Sequence, residues 1–139
     1  MTAREKLKEI RKMDVEIDAL QEQIDMLHAE AEGLKSMEIT DMPKGGKSRD
    51  AACAIAEAAD MQRERYGLIL QRIKKREQAL LAISAIDNSE HRTLLIQRYI
   101  NCKSWDAIVD DMHYSYATIF RMHGVALQEF ERVIRDESK

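Results

Sequence analysis

The sequence predicts an all-α protein: a long antiparallel helical hairpin with coiled-coil patterning, followed by a C-terminal helix-turn-helix domain. Three observations predict it. Five glycines and one proline in 139 residues leave few places to turn, so the elements must be few and long. Ala, Leu, Ile, Met, Glu, Lys, Arg and Gln dominate the composition, and most of these are strong helix formers. Apolar residues, 45% of the chain, recur at helical intervals, enough to give each helix a face to bury.

The first helix carries its apolar residues at Ile10, Met13, Ile17, Leu20, Ile24, Leu27, Ala31 and Leu34. The steps alternate three and four, which is the 3.5-residue seam of a coiled coil. A break is expected at Ile39 to Lys47, around Met42-Pro43-Lys44-Gly45-Gly46, with the connecting loop near 36–49. Lys44, Lys47 and Arg49 make this loop a polar connector with cations available to a nucleic acid or polymerase. Gly46-Lys47-Ser48 resembles the end of a phosphate loop, but Asp41 stands where the required glycine would be and no strand precedes it.

A second helix follows with its seam at Ala52, Ile55, Ala59, Gln62, Tyr66, Ile69, Ile73, Leu80 and Ile83, interrupted by Arg76. Two helices of about 30 residues would each reach roughly 45 Å. The predicted division is 1–86 for the hairpin and 87–139 for the C-terminal domain. One shared stripe is thin, and a narrow seam must be buried to be stable, so a homodimer is expected through the hairpin. The stretch Arg63–Arg76 holds six cations against Glu64, which reads either as a solvated face or as a phosphate track.

Asp87-Asn88-Ser89-Glu90 ends the second helix and starts a third, with Asp87 as the expected N-cap and Glu90 three residues on. Leu94, Leu95, Arg98, Tyr99 and Ile100 give this helix its apolar face, and Asn101-Cys102-Lys103 is a short connector. Ser104 caps a fourth helix, in which Trp105, Ile108, Val109 and Met112 share one side. His113-Tyr114 makes the turn, and a residue there must take positive φ, which histidine tolerates better than a branched residue. Ser115 caps the fifth helix.

At 100° per residue, Ile119, Met122, His123, Ala126, Phe130, Val133 and Ile134 of that helix face a core. His123 therefore reads as a satisfied buried histidine. Ala117, Arg121, Gly124 and Gln128 centre the opposite side, flanked by Thr118 and Phe120. In a helix-turn-helix the start of the second helix meets base edges in the major groove. Tyr116, Ala117, Phe120 and Arg121 are thus the candidate base-reading residues. Arg121 suits a bidentate pair with guanine, and Ala117 or Phe120 suits a thymine methyl. Ser115, Thr118 and Lys103 are the candidate phosphate contacts.

Composition limits the alternatives. The net charge is −3, and residues 88–139 carry seven lysines and arginines against eight carboxylates, so any grip on DNA must be local. Cys53 and Cys102 lack metal-ligand spacing and read as reduced thiols. No nucleophile–base pair, phosphate loop or metal-spaced set appears, so an enzyme, a cofactor and a metal are not expected. The Asp106, Asp110 and Asp111 carboxylates read as solvated or linked to Arg98 or Lys103. With no apolar export or spanning segment, the expectation is a cytoplasmic protein with no membrane partner.

Leu95-Ile96-Gln97-Arg98-Tyr99-Ile100, Lys103-Ser104-Trp105-Asp106-Ala107-Ile108 and the run Tyr114 to Leu127 resemble the ArpU/RinA-like group of phage-encoded transcriptional regulators, whose C-terminal part is similar to sigma-factor region 4. The resemblance covers about residues 90–130, with Val109 and His113 departing from the common Ala and Gly. It implies a phage or prophage regulator in a bacterial host that binds double-stranded DNA, together with host RNA polymerase or without it. Two other functions fit the same pattern: a terminase small-subunit-like DNA packaging protein, and a structural or adaptor coiled coil that binds RNA polymerase without touching DNA.

Overall fold

The computed structural model describes residues 1–40 and 46–138, with the side chains of all of these except 37–40 and 46–49. It is all-helical: α1 (Ala3–Thr40), α2 (Gly46–Ser84), α3 (Ser89–Leu95), α4 (Trp105–Met112) and α5 (Tyr116–Glu137), with no strand among the described residues. Of the expected loop near 36–49, residues 36–40 and 46–49 have helical backbone, while Lys44 and the side chains of Lys47 and Arg49 lie outside that description. The chain divides into two compact units, Met1–Val15 with Ile73–Lys139, and Glu16–Arg72. The first draws on both sides of residue 86, where the sequence reading places its division.

In the unit Glu16–Arg72, Ile24 and Ala31 of α1 are buried and Ile17, Leu20, Leu27 and Leu34 are half-buried. The α1 and α2 segments run antiparallel here. Arg72 Nη2 donates to Glu16 Oε1 at 2.9 Å and Gln62 Nε2 donates to the Ile24 carbonyl at 3.2 Å. The inward face of α2 differs from the expected one. It runs through Ala51, Ile55, Ala58, Gln62, Arg65, Ile69 and Arg72, while Ala52 is exposed and Tyr66 is 52% exposed. Long arginine stems cover apolar surface while their heads find acceptors, so cations occupy seam positions that a hydropathy pattern assigns to the outside.

In the other unit, Ala3 and Leu7 of α1, Ala82 and Ile83 of α2, Ile86, Leu95, Tyr99, and Ala126 and Phe130 of α5 form one buried cluster. Leu94, Ile108 and Ile119 form a second, flanked by Trp105, Val109, Met112 and Met122. Arg76, which breaks the predicted α2 seam, donates to Asp14 Oδ1 at 3.0 Å. Ile73, expected inside, lies on the exposed side of the helix.

Short-range chemistry sets the ends of α3, α4 and α5. The N-cap of α3 is Asn88 rather than Asp87: its Oδ1 accepts from the Glu90 and His91 amides at 2.9 and 3.2 Å. The helix continues into a π-helical turn, Ile96–Ile100, which the sequence reading missed. The Asn101 amide donates to the Ile96 carbonyl at 2.8 Å, and Cys102 then takes φ 58° to turn the chain. Ser104 Oγ accepts from the Ala107 amide at 3.2 Å at the start of α4. His113 ends α4 in the left-handed region at φ 60° and ψ 37°, its amide donating to the Val109 carbonyl at 3.0 Å. Ser115 Oγ accepts from the Thr118 amide at 3.2 Å and opens α5.

Candidate functional site

Six of the seven residues singled out from sequence, Ser115, Tyr116, Ala117, Thr118, Phe120 and Arg121, lie at the start of α5, and Lys103 stands just ahead of α4. What holds them in place is a stack of rings. Ile119, Ala126 and Phe130 are buried in the two apolar clusters and His123 is buried beside them, which fixes the rotation of α5. Ala117, Arg121, Gly124 and Gln128 are therefore exposed, as the wheel requires. Phe120 is 49% exposed and rests on Trp105, with ring centroids 5.0 Å apart and planes at 59°. Tyr116 is 45% exposed and lies 6.4 Å from Phe120. The Tyr116 hydroxyl donates to Asp106 Oδ1, which ties the start of α5 to the first turn of α4.

Trp105 is itself held from below and from the side. The Arg98 guanidinium sits 4.4 Å from its ring centroid, in cation–π range. His123 meets it edge-on at 4.9 Å. His123 also shares a 2.6 Å hydrogen bond with the Tyr99 hydroxyl through Nε2. Burial pushes the His123 imidazole down to about 4, with Arg4, Arg98 and Lys8 adding repulsion, so it is neutral near pH 7. Burial also lowers the Arg98 guanidinium from its usual value, with Arg11 contributing, and its Nη1 donates to the Lys103 carbonyl at 3.0 Å. The stack places Arg98 on a ring rather than on a carboxylate.

The expected phosphate contacts are mostly committed inside the protein. Ser115 Oγ donates to Thr118 Oγ1 at 3.0 Å while accepting from the Thr118 amide. Lys103 Nζ pairs with Asp111 Oδ2 at 2.7 Å. Tyr114 donates to Glu90 Oε1 at 2.8 Å, which raises the Tyr114 hydroxyl above its ordinary value. The Arg63–Arg76 stretch is committed likewise. Arg63 pairs with Asp60, Arg72 with Glu16 and Arg76 with Asp14, and Arg65 donates to the Met61 carbonyl. Lys74 and Lys75 remain exposed.

The structure thus brings Tyr116 and Phe120 together on one aromatic ledge with exposed Ala117 and Arg121 beside it. The roles of Trp105 as support, Arg98 as its stacking partner and Asp106 as the anchor of Tyr116 were missed from sequence. Each joins positions ten or fifteen residues apart, or neighbouring helices, and no local spacing signals such a pair. Among the described residues, no group of three His, Cys, Asp or Glu side chains has metal-binding geometry, and no helix is long and apolar enough to cross a membrane.

Residues 34–131 match a family described as a protein of unknown function, DUF1492. The chain belongs to the DUF1492 family. The match takes in the end of α1, all of α2, α3 and α4, and α5 as far as Glu131, so the ring stack and all seven candidate residues lie inside the DUF1492 region. No match to this DUF1492 chain was found among the curated proteins or the solved structures.

Proposed function

We propose that this protein is a sequence-specific DNA-binding transcriptional regulator of phage or prophage origin. In this reading α4, the His113 turn and α5 form a helix-turn-helix, and the paired segments of α1 and α2 form a coiled coil through which two copies dimerise. The observation that carries the reading is the outward face of α5. Ala117, Phe120, Arg121, Gly124 and Gln128 are all exposed beyond a left-handed turn, on a helix whose other side is locked into two cores. This is the presentation a recognition helix needs in the major groove. The resemblance of residues 90–130 to ArpU/RinA-like regulators supports the same reading and adds host RNA polymerase as a partner.

The test is selection from random duplexes with the full chain. An enriched motif is expected, and Arg121→Ala should lower discrimination at one position by about 1–3 kcal/mol. A selection that enriches nothing refutes the reading.

A second reading, an adaptor that binds polymerase without DNA, is favoured by the charge around the ledge. Glu90, Asp106 and Asp111 pair with Tyr114, Tyr116 and Lys103, and Asp110 is exposed on α4. A stable helical oligomer with no affinity for duplex at low salt would select it.

A further inference from the structure

We propose that the α5 ledge reads thymine through its C5-methyl group, beside a single guanine taken by Arg121. The inference rests on the DNA-binding reading and names what that face recognises. It follows from counting the hydrogen-bonding groups left free there. The Tyr116 hydroxyl donates to Asp106 and the Ser115 hydroxyl to Thr118 Oγ1, while the Thr118 hydroxyl, which keeps its own proton, is half-buried. Ala117 and Phe120 carry no polar side-chain atom. At the start of α5 that leaves the Arg121 guanidinium as the exposed side-chain donor, and no hydrogen bond or ion pair engages it among the described residues.

Arg121 matches the paired O6 and N7 acceptors of guanine. The rest of the ledge is apolar, and the apolar feature displayed in the major groove is the thymine methyl.

The ledge is also fixed in advance. Phe120 leans on Trp105 at 5.0 Å, and Trp105 is gripped by Arg98 at 4.4 Å and His123 at 4.9 Å. A ring held this way meets a methyl group without losing rotamer freedom on binding, so the small contact is not cancelled by an ordering cost.

The experiment uses the full chain and the duplex enriched by selection. Each thymine is replaced in turn by uracil, which pairs identically and lacks the methyl, and affinity is read by fluorescence anisotropy. At one or two positions uracil should weaken binding by about fourfold, the worth of one buried methyl. Phe120→Ala should erase the difference between thymine and uracil while keeping the dependence on guanine, and Arg121→Ala should do the reverse. An enriched motif whose uracil forms all bind as tightly as the thymine forms overturns this inference and leaves the DNA-binding reading standing. If no duplex is enriched, the DNA-binding reading falls and this inference with it, and the exposed rings are then a protein-docking face. Because uracil changes the duplex alone, the comparison holds even if Phe120→Ala does not fold.

Discussion

His123 should make the stability of this protein fall with pH in a way that one substitution removes. The imidazole is 4% exposed and hydrogen-bonded to Tyr99, and it titrates near 4 against an ordinary 6.5. Arg4, Arg98 and Lys8 face it, and each disfavours the imidazolium. With the folded value depressed, the unfolded chain takes up a proton that the folded chain refuses. The stabilising difference is therefore complete above about pH 7 and declines as pH drops through 6.5 towards 4. Integrating the two titrations gives a loss of about 2 kcal/mol at pH 5 and about 3 kcal/mol at pH 4.

Carboxylates contribute to any acid profile, so the measurement is a difference. Wild type and His123→Gln are unfolded in urea across this range. Glutamine can still bond to Tyr99 and carries no charge. The stability gap between the two should be constant above about pH 7 and should shift against wild type by about 2 kcal/mol at pH 5. Trp105 is the single tryptophan, with its ring centroid 4.9 Å from that of His123, so its fluorescence reports this site directly. If the two profiles run parallel down to pH 4.5, the imidazole is not buried as described and the reasoning fails.

Substitutions at three other positions test the frame around the ledge. Ser115→Ala removes the cap that accepts from the Thr118 amide, and should cost about 1 kcal/mol in urea unfolding without changing the helix content of the folded state. At His113, held at φ 60°, glycine should raise stability by up to about 1 kcal/mol while valine lowers it by about 1–2 kcal/mol, a sign change visible in Tm. Phe130→Ala empties the middle of the larger cluster and should cost about 3–5 kcal/mol, measured by urea or thermal unfolding.

The helical class and the inner face of α5 were legible because both depend on local spacing. Ile119, His123, Ala126 and Phe130 fall within one arc of a wheel, and the same four are the buried residues of α5. The His113 turn was legible because the chain must reverse between two capped helices, and that requires one residue at positive φ. The α2 face was misread where arginines stand inside. Arg65, Arg72 and Arg76 occupy inward positions, and the apolar residues Tyr66 and Ile73 lie one step outside them. Hydropathy patterning scores a charge as exterior, whereas here Glu16 and Asp14 accept the Arg72 and Arg76 heads and the stems do the packing. The π-helical turn left no mark because a ladder displaced by one residue needs no particular side chain. The hydroxyls of Ser115 and Thr118 illustrate the same limit at the site. Residue type makes each a phosphate donor, while in the folded chain the Ser115 proton is spent on Thr118 Oγ1.

The stack also joins the protein's interior to its surface. Tyr99 belongs to the larger apolar cluster and Trp105 flanks the smaller one, and His123 touches both, by a hydrogen bond to the first and an edge-on ring contact to the second. Trp105 then carries Phe120, and Phe120 lies against Tyr116, whose hydroxyl returns to Asp106. A neutral His123 is therefore a condition for both clusters meeting as they do, and the position of Phe120 depends on that meeting through a single intervening ring. A face held in this way depends on the ring beneath its outer residues as well as on those residues themselves. It follows that altered specificity at the ledge, if the ledge reads DNA, should arise at Trp105 and Arg98 as readily as at Phe120, although neither lies on the outward side of α5. Arg98 makes the dependence electrostatic as well as steric. Its guanidinium is held over the Trp105 ring at 4.4 Å in a partly buried site, and protonating His123 would put a second cation against the same ring from its edge. Two cations on one indole repel, so the acid that destabilises the core should loosen the ledge at the same pH.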